Sequence, residues 1–108
     1  MLQIMHDAEH LMKRFCEDCR LREMTDESIR RYRSSLRIFL RFLRREGISI
    51  DRVGVQALRG FLQHIKFERE AKHKTVENYF SAISAFYDYL AFEGLISANI
   101  ILPFRRRY

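Results

Sequence analysis

Several things are scarce in this chain of 108 residues, and each scarcity closes a door. There is one proline, at position 103, and there are four glycines. With 47% hydrophobic and 13% aromatic residues, that composition excludes a disordered or low-complexity tail. Two cysteines, Cys16 and Cys19, are too few for a disulfide framework, and both read as thiols. The start, Met1 to Asp7, lacks the basic residues and apolar run of a secretory signal, and no stretch approaches the ~20 apolar residues of a membrane span. A cytoplasmic location is therefore expected, with no membrane partner. No segment shows the sustained alternation of a half-buried strand.

Chemistry-bearing motifs are also missing. No Gly-rich phosphate loop, H-E-x-x-H or G-x-S-x-G occurs, and His64 and His73 have no acid or nucleophile suitably beside them in sequence. Cys16-Glu17-Asp18-Cys19 is a C-x-x-C with His6 and His10 upstream. On one helix those histidines point about 100° or more away from the cysteines, and Cys19 falls in the apolar stripe, so four ligands never share a face. Catalysis, a metal, a cofactor and a small-molecule substrate are all unexpected.

What is present is periodicity and positive charge. Lys plus Arg number 20 against 14 Asp plus Glu, the net charge is +6, and the sequence pI is about 9.7. Most of that excess is arginine, whose planar guanidinium suits phosphate, so nucleic acid is the leading partner class.

The apolar spacing predicts four main helices. The first runs from about residue 3 to 21 on Met1, Met5, Ala8, Leu11, Met12, Phe15 and Cys19. The second is capped by Thr25, with Asp26 and Glu27 at the positive end of its dipole, and stops near Glu46 because Gly47 suits a left-handed C-terminal position. After a connector from Ile48 to Gly54, Leu58, Phe61, Leu62 and Ile65 mark a shorter third helix. The fourth carries Val76, Tyr79, Ile83, Phe86, Tyr87 and Leu90 inward and ends at Gly94. Leu95 to Leu102 is expected to pack on the bundle, as a short fifth helical segment ending before Pro103.

The second and fourth helices are related. Displacing the sequence by 47 positions (75 minus 28) pairs Ser28 with Thr75, Ile29 with Val76, Tyr32 with Tyr79, Ser34 with Ser81, Leu36 with Ile83, Phe39 with Phe86, Leu43 with Leu90 and Gly47 with Gly94. The inward positions agree and the outward ones differ. On the second helix Arg30, Arg33, Arg37, Arg41 and Arg44 fall within a strip roughly 80° wide, with acids only at its ends. Such a strip is either a solvated basic face or a surface whose self-repulsion a polyanion relieves. Arg31 and Ser34 lie at its edge, where they extend toward base edges. Ile38 and Phe42 fall on the outer flank, to be covered by another element such as the first helix or to form an interface.

The fourth helix begins with Lys72, His73 and Lys74, cations where free N–H groups are already positive, a local conflict that suggests an anion site with the Thr75 hydroxyl in reach. Its outward face then reads Asn78, Ser81, Ser84 and Ala85, all short enough for a groove wall to approach.

The run Thr25 to Leu43, the turn Glu46-Gly47-Ile48, and Lys74 to Tyr79 continuing to Phe86-Tyr87-Asp88-Tyr89-Leu90 together resemble the N-terminal core-binding domain of tyrosine recombinases, the phage-integrase family. The resemblance implies an all-α, four-helix orthogonal bundle of SAM-like type over residues 1–104, with 105–108 beginning a basic linker. It implies half of a clamp on double-stranded DNA within an assembly of recombinase protomers at the nucleoid. Carried over by position, Ser28, Arg30, Arg31, Ser34, Arg37, Lys74, Thr75 and Asn78 become DNA contacts. The neighbouring Arg33, Arg41, Lys72, His73 and Ser81 belong to the same two surfaces, and Arg105, Arg106 and Arg107 to the linker. The family's catalytic arginines, histidines and nucleophilic tyrosine have no counterpart in these 108 residues. A helical protein-interaction module and a small stand-alone DNA-binding regulator are the alternatives.

Overall fold

A computed structural model describes residues 8–108, and among them every regular element is helical. The chain runs through α1 (Ala8–Leu21), α2 (Asp26–Glu46), a 3-10 turn (Ile50–Arg52), α3 (Val55–Gln63), α4 (His73–Phe92) and α5 (Ile101–Arg107). The part of the first helix expected before Ala8 lies outside the described residues. α2 and α4 form the central pair; α1 crosses both, α3 flanks α2, and α5 flanks α4.

The repeat sets this arrangement. Ile29, Leu36, Phe39 and Leu43 of α2, with Tyr79, Ile83, Phe86 and Leu90 of α4, are buried at matching positions. Phe15 of α1 closes the core between them, 5.5 Å from Phe86 and 6.1 Å from Tyr32 between ring centroids. Both copies end alike. Gly47 (φ +71°) and Gly94 (φ +78°) take the left-handed conformation, and the following amides, Ile48 and Leu95, each donate to the carbonyl five residues back, at 2.9 Å. At Glu93, the residue before Gly94, Arg14 of α1 forms an ion pair at 3.1 Å.

α1 and α3 stop by a less legible route. Glu23 (φ +64°) and Glu70 (φ +52°) adopt the left-handed conformation without a glycine's freedom. α3 also widens after Gln63 into a π-helical turn over His64–Glu68, which keeps Ile65 buried while the chain swings toward α4. The connector before α3 is pinned by Tyr87, whose buried hydroxyl donates to the Ile50 carbonyl at 2.7 Å.

The C-terminal segment departs from expectation. Pro103 does not end a helix; it is the third residue of α5, inside the first turn, where its missing N–H would have had no intrahelical partner. Asn99 makes the segment possible. Its Nδ2 donates to the Ser84 carbonyl at 3.0 Å and its Oδ1 accepts from the Ile101 amide at 2.9 Å, so one side chain fastens the chain to α4 and caps α5. Phe104 then stacks on Phe80, with ring centroids 5.5 Å apart.

Two further expectations are corrected. Ser84 does not face outward: it is 8% exposed, beneath the segment held by Asn99. Phe42 is covered by α3 and its π turn and not by α1, sitting 5.4 Å from the Phe61 ring and stacked on His64 at 5.5 Å. Ile38 is half-buried. The two residues therefore supply no broad apolar patch.

Candidate nucleic-acid interface

The start of α2 is built to project side chains toward α4. Thr25 Oγ1 accepts from the Ser28 amide at 3.1 Å, satisfying one of the free N–H groups, and the Thr25 hydroxyl donates to Ser28 Oγ at 3.0 Å. Ser28 Oγ also accepts from Arg31 at 3.5 Å, so Ser28 is half-buried and helps to orient an arginine. One turn on, Arg30, Arg31 and Ser34 line one wall of a groove of about 510 Å3; Thr75 and Asn78 of α4 line the other. Ile38 and Tyr79 lie between them, and Glu27 stands at the rim. The groove thus joins the two surfaces inferred separately from charge and from size. Sequence reasoning did not find its apolar floor, because Ile38 and Tyr79 belong to different helices and meet only on folding.

The rest of the arginine row fans away from this groove. Arg33 and Arg37 line a cleft against α1 together with Lys13, Arg20, Glu9 and Glu17. Arg37, Arg41 and Arg44 line another, of about 480 Å3, beside the start of α1. None of Arg30, Arg31, Arg33, Arg37, Arg41 or Arg44 lies within ion-pairing distance of an acid among the described residues. Their positive charge is left to solvent or to a polyanion.

α4 begins without compensation. Lys72 occupies the N-cap position, its side chain caps nothing, and no acid stands in the first turn. Lys72 and Lys74 are exposed. His73 turns to the other flank of α4, where its Nε2 lies 3.3 Å from a Glu77 carboxylate oxygen. Ser81 is half-buried and accepts a long hydrogen bond, 3.4 Å, from Arg105. Arg105, Arg106 and Arg107 continue α5 as exposed helical residues outside the groove.

The thiols belong to the core. Cys16 and Cys19 are buried and unbridged, and burial together with neighbouring Cys16 and Asp18 pushes the Cys19 thiol up to about 11, which keeps it neutral and unreactive. Among the described residues no three His, Cys, Asp or Glu side chains gather as a metal site, and no helix is long and apolar enough to cross a membrane.

Comparison with known proteins agrees with this geometry. Residues 11–95 match the family described as phage integrase, N-terminal SAM-like domain. Tyrosine recombinase XerC of Oceanobacillus iheyensis is 36% identical over 73 residues, covering 67% of this chain and 24% of that protein, so the match spans about a quarter of the recombinase. No solved structure matches the chain. Since the family match runs from the second turn of α1 to the residue after Gly94, taking in the whole central pair, the chain belongs to the N-terminal SAM-like domain family of phage integrases.

Proposed function

We propose that the α2–α4 groove binds double-stranded DNA and that the chain serves as the non-catalytic DNA-holding part of a site-specific tyrosine recombinase. Strand exchange is assigned to the portion of such a recombinase that the 24% match leaves uncovered. The observation that carries the reading is the groove itself: unpaired Arg30 and Arg31 on one wall, Thr75 and Asn78 on the other, beside a helix start that carries Lys72 and Lys74 and no capping acid.

Each part has a chemical role. Lys72 and Lys74, with the free amides of the first turn of α4, hold a phosphate; Thr75 adds a hydroxyl. Arg31, braced by Ser28, reaches a guanine edge, and Asn78 an adenine edge or a phosphate. Arg37 and Arg41 continue the contact along the backbone, with Arg33, Ser81 and Arg105 to Arg107 at the margins. Other protomers on the same DNA, and a place at the nucleoid, follow from that partner. The protein-interaction reading has lost its patch, because Phe42 is 7% exposed.

The test is duplex binding by the 108-residue chain, followed by fluorescence anisotropy across salt concentrations. If about five cations meet phosphates, log affinity should fall against log salt with a slope near −4 to −5, and Lys74→Ala should make it shallower by about 1. Asn78→Ala should leave the slope unchanged while relaxing base preference at one position by about 1–3 kcal/mol. A flat salt response rejects the proposal.

A further inference from the structure

A second groove, of about 310 Å3, lies on the far flank of α4 from Thr75 and Asn78. Its floor is apolar, formed by Leu62 from α3, Val76 and Phe80 from α4, and Phe104 from α5. That floor is firmly held. Phe80 and Phe104 stack within 20° of parallel, and the Tyr108 ring continues the stack 4.7 Å from Phe104, with its hydroxyl accepting from Arg59 at 3.0 Å. The rim is cationic, with Lys66 from the π turn and Arg105 from α5. Glu77 is the one acid lining the groove, and His73 holds it at 3.3 Å. Lys66 has no ion-pair partner among the described residues.

The floor and the rim call for different halves of one ligand. A phosphate ridge of DNA would satisfy the cations and gain nothing from four apolar side chains, whereas an apolar side chain seated there would remove their surface from water. A cationic rim around such a floor complements carboxylates flanking that side chain. We propose that this groove docks an acidic amphipathic segment of a partner protein, with one aromatic or large aliphatic side chain on the Phe80–Phe104 stack and neighbouring carboxylates on Lys66 and Arg105. Because the two grooves occupy opposite flanks of α4, the segment and a duplex can be held together, which would let a protein partner be recruited to a DNA-bound recombinase domain.

The probe is a synthetic helical peptide with a central Phe flanked by Glu one turn before and after, titrated into the 108-residue chain and followed by backbone amide chemical shifts. Saturable shifts at Leu62, Lys66 and Phe104 are expected, with a Kd on the order of 10–100 µM for so small a contact. A matched peptide carrying Lys in place of Glu should not bind. Lys66→Glu exchanges attraction for repulsion at an exposed position, and should weaken the acidic peptide by about tenfold or more while the urea midpoint stays unchanged and duplex affinity stays within about twofold. Four results would overturn the proposal: no saturable shifts; shifts at Thr75 and Asn78 instead, which would mean the peptide only mimics DNA in the first groove; equal affinity in Lys66→Glu; or protection of Lys66 by a duplex, which would make DNA the occupant.

Discussion

α2 and α4 are two copies of one helix that share everything facing inward and almost nothing facing outward. Their cores align residue for residue, and both ends close through a left-handed glycine with the same pair of hydrogen bonds. Their beginnings are opposites. α2 opens on Thr25, Asp26 and Glu27, a hydroxyl cap and two acids that match the dipole; α4 opens on Lys72, His73 and Lys74, with no side-chain cap and no acid. Both helices owe their place to the same buried row, so the difference at their starts has no packing purpose to serve. It leaves α2 finished within the protein and α4 unfinished, with free amides and positive charge awaiting an anion. Within one chain, the shared part of the repeat is the scaffold and the divergent part is the site.

The firmest way to break the comparison is through the core. Phe39 and Phe86 occupy the same repeat position, are fully buried, and each makes edge-on contacts with other rings. Phe39→Ala and Phe86→Ala should each cost about 3–5 kcal/mol by urea denaturation, enough to unfold much of a marginally stable domain. If one were tolerated, the two helices would not be equivalent parts of the scaffold.

The helix ends come next. Gly47→Ala and Gly94→Ala meet no atom within 4 Å, so the penalty is conformational alone, about 1 kcal/mol each for placing a Cβ in the left-handed region. Glu23→Gly should run the other way and gain about 1 kcal/mol, since Glu23 occupies that region without glycine's freedom. Thermal midpoints of the three variants check the sign. A neutral Gly94→Ala beside a costly Gly47→Ala would show that the shared end geometry carries different loads.

These ends also show what the sequence could disclose. The central pair was legible because two long apolar stripes and two glycines repeat at one spacing, and the Thr25 cap has a side-chain signature. The π turn, the left-handed Glu23 and Glu70, and the route through Asn99 into α5 were not. In each of them tertiary contacts outweigh local preference: Ile65 is buried by widening its turn, and Pro103 sits harmlessly in a first turn only because Asn99 has set where that turn begins. For the site, the chemistry of each wall could be read from single helices. Which arginines face α4 and which fan toward α1 depends on the crossing of three helices, a fact no one-dimensional strip contains.

Smaller in magnitude, but closer to function, is the start of α4. Lys72→Ser would supply the missing cap and remove a cation from the positive end of the dipole, so the domain should gain about 0.5–1 kcal/mol of stability. The same change should weaken duplex binding and make the salt slope shallower by about 1, because a phosphate loses its counter-charge and an amide is claimed by the serine. Stability and binding moving in opposite directions would mark the start of α4 as held open for a ligand. A variant that gains stability and keeps its affinity would make Lys72 an ordinary surface lysine.

The smallest effect separates the copies at a single shared residue. Ser34 and Ser81 are repeat partners, yet Ser34 is exposed in the α2–α4 groove while Ser81 is half-buried and accepts only a long hydrogen bond from Arg105. Neither hydroxyl supports the core, so Ser34→Ala and Ser81→Ala should each shift stability by less than about 0.5 kcal/mol. Their effects on DNA should differ. Ser34→Ala removes a donor facing the groove and should weaken duplex binding by about 0.5–1.5 kcal/mol, the usual net value of one hydrogen bond; Ser81→Ala should leave it unchanged. Equal losses from both would mean that a duplex spans the outer face of α4 as far as α5. Equal indifference would move the DNA off the α2 wall altogether, onto the cations at the start of α4.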